Sequence, residues 1–207
     1  PRGGCQSLRN GRAGLTMTIT RRSLLAALPA AASLAALAAC GSVPPTRYYT
    51  LARPAPAAAG APPWPLLVLA PVRLPELLDR PQRVRRLSPT QVQIDDYALW
   101  AQPLREEIAA AVAADLTARW PTLVVDVRAA APVANAPRLQ LQVDQFETDG
   151  REAAVAMQWF VQGGGASPRQ GQVRGQAALA GPGDDAAVAA LGLALSRACA
   201  DLAVALR

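Results

Sequence analysis

The chain has 207 residues, a formal net charge of +6, a hydrophobic content of 51% and no histidine. The absence of histidine excludes a catalytic triad of the Ser-His-Asp type, a histidine general base and histidine metal ligands. Five of the 21 basic residues but none of the 15 acidic ones precede residue 40, so residues 40–207 carry a net charge of only +1 and lack the basic excess of nucleic-acid-binding domains.

The amino-terminal segment is typical of an export signal. The first methionine is Met17, so we expect residues 1–16 to lie upstream of the natural start. Two arginines then precede an uncharged run, 23–39, that is rich in alanine and leucine. This run is shorter than the roughly 20 apolar residues of a transmembrane helix. We therefore predict a signal peptide over 17–39, with a buried amino-terminal helix as the alternative.

The signal ends in Leu37-Ala38-Ala39-Cys40, which resembles the lipobox of bacterial lipoproteins. A thiol at this position carries diacylglycerol, and the small residues before it fit the processing peptidase. Several acyl chains, at about 0.8 kcal/mol per buried methylene, anchor a protein that a single chain holds only weakly. We predict lipidation at Cys40; the alternative is an ordinary cleavable signal with an incidental cysteine. Because Gly41 is not the aspartate that retains lipoproteins at the inner membrane of enteric bacteria, this resemblance implies the periplasmic face of the outer membrane.

Strand patterns dominate the rest of the chain. A tether over 40–46 leads into the first strand, and a proline- and alanine-rich surface loop over 53–65 follows it. The triple glycine at 163–165 predicts a hairpin loop, since it has neither the lysine of a phosphate-binding loop nor dinucleotide-fingerprint spacing. Apolar runs and alternation predict strands at 47–51, 66–72, 82–87, 91–97, 123–127, 139–144, 155–161 and 170–179.

Two helices are predicted. The first spans 103–120, where apolar residues recur every four positions and Asp115 and Arg119 form an i,i+4 pair. The second begins at Asp184, a plausible N-cap, runs to the carboxyl end and buries Cys199. We therefore expect one domain over 47–207 of the α/β class (α+β-like order): a single mixed β-sheet covered by two main helices, in a two-layer or three-layer sandwich.

The residue content predicts no catalytic residue, no metal site and no cofactor. Cys199 alone makes no zinc site, and the acidic pairs are adjacent in sequence, where they point apart on a strand or complement a helix dipole. A pair of carboxylates assembled only in three dimensions is the enzymatic alternative.

Three segments of the chain resemble the PqiC family, the auxiliary lipoproteins of ABC-type intermembrane transport systems. They are Tyr48-Tyr49-Thr50-Leu51, the stretch Val72–Arg86 with its core Leu78-Asp79-Arg80-Pro81-Gln82, and Trp100-Ala101-Gln102-Pro103-Leu104. The resemblance implies a non-enzymatic role in lipid transport, beside an MCE-domain protein that spans the periplasm and an inner-membrane ABC transporter. A free-standing structural lipoprotein of outer-membrane assembly or of the cell wall is the rival hypothesis, and an envelope hydrolase is the third. Whether the chain forms a homo-oligomer is left open.

The turn formed by Asp79, Arg80, Pro81 and Gln82 is the predicted partner-binding site. Proline fixes φ, and the arginine offers a planar fork for a carboxylate or carbonyl. The alternative is that Asp79 and Arg80 pair with each other or bind local backbone. The nearby arginines at 83, 85 and 86 predict either a basic cluster that faces anionic lipid or a partner, or an ordinary solvated strand face.

Overall fold

The computed structural model describes residues 44–51, 58, 60–121, 123–126 and 135–207. The predicted signal peptide, Cys40 and part of the proline-rich loop lie outside these residues. Residues 45–207 form one compact unit. Its elements in chain order are β1 (Arg47–Tyr49), β2 (Leu66–Leu69), β3 (Gln82–Ser88), β4 (Gln91–Trp100), α1 (Leu104–Arg119), β5 (Val124–Asp126), β6 (Arg138–Thr148), β7 (Glu152–Gly163), β8 (Ala166–Ala178) and α2 (Asp184–Leu206).

All eight strands belong to one mixed sheet organised around β6, which confirms the predicted sheet. One edge of β6 is shared: its first residues pair in parallel with β2, and its last residue pairs in parallel with β3. On its other side, β2 pairs in parallel with β5. β3 forms an antiparallel hairpin with β4, and β1 pairs in parallel with the outer edge of β4. The other edge of β6 pairs with β7, and β7 pairs with β8. In the described part of the chain, β8 has no second neighbour, and Arg197 donates a hydrogen bond to the carbonyl of Gln176 on β8.

Alternation along β6 and β7 determines which face of the sheet is buried. Leu141 lies opposite Trp159, and Val143 lies opposite Met157, and all four side chains are buried. Between these pairs lie Gln142 and Gln158, which are polar and exposed. The period of two in the sequence therefore predicted both the strands and their buried face.

Both helices cover this buried face, so the fold has two layers rather than three. α2 packs on β6, β7 and β8 and also contacts α1, which reaches β5. By length and composition α2 is apolar enough to cross a membrane, yet 67% of its most apolar window is buried within the fold. That burial is typical of a helix that fills a core.

The amino end of α2 differs from its prediction. Gly183, with φ of +95°, occupies the cap, and no side chain caps the helix. Asp184 is instead the first helical residue, and its carboxylate accepts a hydrogen bond of 2.6 Å from Arg83 on β3. A long-range ion pair thus uses the carboxylate that the sequence pattern assigned to a local cap.

A buried polar cluster joins the two helices. Asp115 and Arg119 form the predicted i,i+4 pair, with 2.5 Å between Oδ1 and Nε. Ser196 on α2 donates a hydrogen bond of 2.5 Å to the same carboxylate, and its carbonyl accepts one from Arg119. Cys199 lies nearby and is buried as predicted. Burial, and to a lesser extent the negative charge of Asp115, raise the pKa of its thiol, so the thiol stays protonated.

We expect Gly175→Ala to destabilise the fold strongly. A Cβ atom at Gly175 on β8 would lie 1.9 Å from the carbonyl oxygen of Ala194, so the backbone of α2 would have to move away from the sheet. The loss in unfolding free energy should reach or exceed the upper end of the ~1–3 kcal/mol that is usual for overpacking. Urea unfolding followed by circular dichroism measures it. Gly181→Ala is the matched control, because nothing lies within 4 Å of its Cβ position; equal losses for both variants would contradict this account of the packing.

Candidate partner-binding site

The predicted turn lies where the chain passes from the extended segment after β2 into β3. The amides of Leu78 and Asp79 both bind the carbonyl of Pro75, at 2.9 and 3.1 Å, which closes a single helical turn. Pro81 then stands directly before β3, and its carbonyl accepts a hydrogen bond of 2.7 Å from the amide of Trp100. This bond places the end of β4 beside the turn, so two of the segments that resemble the PqiC family lie next to each other.

Asp79 pairs with Arg105 of α1 rather than with Arg80. The Nη2 atom of Arg105 lies 2.6 Å from Oδ1 and 2.5 Å from Oδ2 of Asp79. The two side chains are 37% and 50% exposed, so solvent screens the pair and it contributes no more than about 1 kcal/mol to stability. An ion pair that adds little to stability and lies open to solvent is available to a partner.

The other three predicted residues differ in their exposure. Arg80 is half-buried, and its Nε is a buried donor without a hydrogen-bond partner. Pro81 is exposed. Gln82 is half-buried and begins β3 opposite Leu99. Pro81 and the Asp79–Arg105 pair are therefore the parts of this turn that a second molecule can contact directly.

Two grooves meet at the Asp79–Arg105 pair, which lines both. The first, of about 400 Å³, runs between the turn and the loop that enters α1, and is lined by 79–81 and 100–105. The second, of about 570 Å³, is lined by 70–74, Asp79, Arg105, Arg138, Gln140 and Leu141.

The second groove carries uncompensated positive charge. Neither Arg73 nor Arg138 forms an ion pair with any residue in the described ranges. A third groove, of about 560 Å³, shares Arg73 and Gln140 with it and extends over the open face of β6–β8, where it is lined mainly by glutamine side chains. The planar guanidinium groups of arginine, next to amide side chains, can donate hydrogen bonds to carboxylates and backbone carbonyls of a second molecule. The arrangement is therefore equipped for polar recognition.

Sequence reasoning missed Arg73, Arg105 and Arg138 as site residues. Alternation indicated a polar face on β6, which was a usable signal for Gln140. The convergence of the arginines depends on the parallel pairing of the segment after β2 with β6, where Arg73 bridges to Gln142. No local pattern encodes that pairing.

The predicted basic cluster on β3 is not a basic surface. Arg83 is only 3% exposed, pairs with Asp184, and lies with its guanidinium 5.7 Å from the centroid of the Tyr49 ring. Arg86 makes two hydrogen bonds of 2.8 Å to Glu147 on β6, and these bonds raise the pKa of its guanidinium. The expectation that these arginines face lipid or a partner is therefore wrong for Arg83 and Arg86. Arg85 is exposed and binds Gln93.

Glu107 on α1 has a role that its position did not predict. The sequence assigns it to the helix dipole, but the residue is 1% exposed, and its Oε2 accepts a hydrogen bond of 3.1 Å from the amide of Leu51. This bond holds the chain after β1 against α1.

Among the described residues, no three histidine, cysteine, aspartate or glutamate side chains are grouped so that they could bind a metal ion.

We expect Glu107→Ala to lower the unfolding free energy by about 1–3 kcal/mol, because it leaves the Leu51 amide buried without an acceptor. Glu107→Gln keeps an acceptor oxygen and should lose less. Glu106→Ala is the matched control, because its exposed side chain stands one position earlier on α1. Thermal unfolding of the three variants measures the differences, and equal stability of Glu107→Ala and Glu106→Ala would contradict the proposed role of the buried carboxylate.

Comparisons with known proteins agree with this fold. The family model of the ABC-type transport auxiliary lipoprotein component matches residues 49–203. No curated protein matches the chain. A crystal structure of an uncharacterized protein is 23% identical, with a TM-score of 0.65, over 79% of this chain and 100% of its own. A protein of Xanthomonas campestris assigned to the family DUF330 is 19% identical, with a TM-score of 0.57, over 77% of this chain and 95% of its own. At these identities, the two structures bear on the fold alone.

Proposed function

Because the chain belongs to the family of ABC-type transport auxiliary lipoproteins, we propose that it is a non-enzymatic accessory subunit of an envelope transport system that moves lipid between membranes. In this proposal it is anchored through acylated Cys40 at the periplasmic face of the outer membrane. There it binds an MCE-domain protein, which spans the periplasm from an inner-membrane ABC transporter. The observation that carries the proposal is the meeting of two family-like segments at one solvent-open groove.

The groove supports protein recognition better than catalysis. Its charged groups are mainly arginines, and the carboxylate of Asp79 is already paired with Arg105. The uncompensated guanidinium groups of Arg73 and Arg138 favour a partner segment that presents carboxylates or carbonyls. We therefore propose that the MCE-domain protein contacts Arg73, Arg138 and the Asp79–Arg105 pair.

The rival function is that of a structural lipoprotein in outer-membrane assembly or the cell wall. The two hypotheses differ in the protein that the natively lipidated chain retains in mild detergent. An MCE-domain protein supports the transport role, and a β-barrel assembly factor would support the rival.

Cys40→Ser tests the anchor. We expect intact-mass analysis of the membrane-extracted wild-type chain to give a polypeptide that begins at residue 40 and carries acyl chains. The variant should carry no acyl chain and keep the segment before residue 40, because a serine hydroxyl cannot form the thioether that precedes cleavage. Cys199→Ser is the control, since that thiol is buried far along the chain. An unacylated wild-type chain that begins upstream of residue 40 would contradict the anchor.

Charge reversal at the Asp79–Arg105 pair tests the groove. We expect Asp79→Arg and Arg105→Asp each to reduce recovery of the MCE-domain protein at least tenfold, with less than ~1 kcal/mol lost in stability. The double variant restores the ion pair with its charges exchanged. If the pair serves only to position the turn, the double variant recovers the partner; if it contacts the partner, recovery stays low. We expect low recovery, and normal recovery with all three variants would exclude a role of this groove in docking.

A further inference from the structure

Exposed apolar side chains in the described residues are concentrated on three adjacent strands. Of six exposed large hydrophobic residues, two lie on α2, namely Leu193 and Val204. The other four lie on β1 and on the β3–β4 hairpin: Tyr48 (67% exposed), Leu87 (47%), Ile94 (38%) and Tyr97 (40%). These strands are neighbours in the sheet, so the four side chains lie around one edge of it. They do not share a single face, because Ile94 pairs with Val84 whereas Leu87 alternates with the opposite side of β3.

The register of β1 relates this cluster to the membrane anchor. β1 runs parallel to β4, with Arg47 opposite Ala98 and Tyr48 opposite Leu99. The amino end of β1 therefore points toward the beginning of β4, which is the side of the hairpin turn at Pro89-Thr90. The chain that leads back to Cys40 joins the domain at this end of β1.

Chain length then limits how far the anchor can lie from the hairpin. Gln91 and Ala98 of β4 are seven residue steps apart, which extend at most about 23 Å at the usual rise of a strand. Cys40 precedes Arg47 by seven residues, and seven residues span at most about 25 Å in any conformation. A fully extended tether is therefore long enough to bring an acylated Cys40 to the level of the hairpin turn, so the hairpin and the acyl chains can reach the same lipid surface.

We infer that β1 and the β3–β4 hairpin form a second membrane contact, which docks on the lipid surface into which Cys40 is anchored. Tyr48 and Tyr97 lie at the level of the lipid headgroups, where the amphipathic phenol ring is favoured. Leu87 near the turn contacts the same interfacial region, because it shares a groove with charged residues such as Arg86 and Asp149. The inference rests on the proposed acylation of Cys40 and adds to it a defined orientation of the domain.

The charges of this surface make its chemistry specific. The exposed basic residues Arg47 and Arg85 are balanced by Asp95 and Asp96 on β4, and the Asp95 carboxylate binds the amide of Tyr97 at 2.9 Å. The groove beside Leu87 adds two arginines and three carboxylates, namely Arg86, Arg151, Glu147, Asp149 and Glu152. Apolar and aromatic groups, and not an excess of positive charge, therefore carry the contact. Docking should persist at high salt and should not require anionic lipid.

Single fluorescent labels on the natively lipidated chain test this orientation. Leu87→Cys and Tyr97→Cys are labelled with an environment-sensitive fluorophore, and the chain is reconstituted in vesicles of phosphatidylethanolamine and phosphatidylglycerol. The matched control is Val204→Cys, an apolar and 70% exposed position on α2. Labelling is selective because processed Cys40 is acylated and Cys199 is buried. Doxyl-labelled lipids quench membrane-bound labels, and aqueous iodide quenches exposed ones.

We expect lipid quenching at 87 and 97 to exceed that at 204 at least threefold, and iodide quenching to show the opposite order. Neither should change in about 0.5 M salt, which screens charges beyond a few ångströms. Intact mass of the same sample is read alongside. Acylated Cys40 with equal iodide quenching at all three positions overturns the docking and leaves the anchor intact. Unacylated Cys40 overturns both. A third outcome is iodide quenching of the labels at 87 and 97 that disappears, without lipid quenching, when the MCE-domain protein is added. That result would assign the surface to a protein partner and overturn the membrane contact.

Discussion

The close approach of α2 to β8 at Gly175 is the contact on which the remaining packing depends. Since Gly175 has no side chain, the backbone of the helix lies directly on the sheet, where a Cβ would meet the Ala194 carbonyl. The same closeness explains why so much of α2 can be alanine: a small side chain is fully buried when the two backbones nearly touch. Its buried alanines are Ala187, Ala190, Ala194, Ala198 and Ala203.

The position of α2 in turn fixes α1 and the groove. Ser196 binds Asp115, which joins the two helices through a buried, hydrogen-bonded carboxylate. The amino-terminal turn of α1 then presents Arg105 to Asp79, while Glu107, two residues later in the same turn, holds the chain after β1. The exposed ion pair at the groove is therefore positioned by buried contacts and not by its own weak energy. This separation lets its charges serve recognition without a large cost to stability.

The sequence predicted the type of each element because local patterns determine it. The period of two in β6 and the four-residue spacing in α1 are visible in short windows, and the mixed sheet with two covering helices followed from their order. The predictions that were wrong concern contacts between distant parts of the chain. Arg83 was expected at a surface, but its partner Asp184 lies 101 residues later. The Asp79 turn was predicted as a site, whereas the arginines that complete the groove come from the segment after β2, from α1 and from β6, which are neighbours only in the folded domain.

Within the part of the chain that the structure describes, the outer edge of β8 is unpaired, and this has a consequence for the chain before it reaches its partners. The edge presents outward-pointing amides and carbonyls over part of a 13-residue strand, and such an edge is a template for strand addition between copies. Two features oppose this: Pro168 removes a donor near the start of the strand, and the guanidinium of Arg197 occupies the carbonyl of Gln176 near its end. The proline and the cation therefore weaken both ends of this edge as a template, which lowers the tendency of copies of the chain to pair through it.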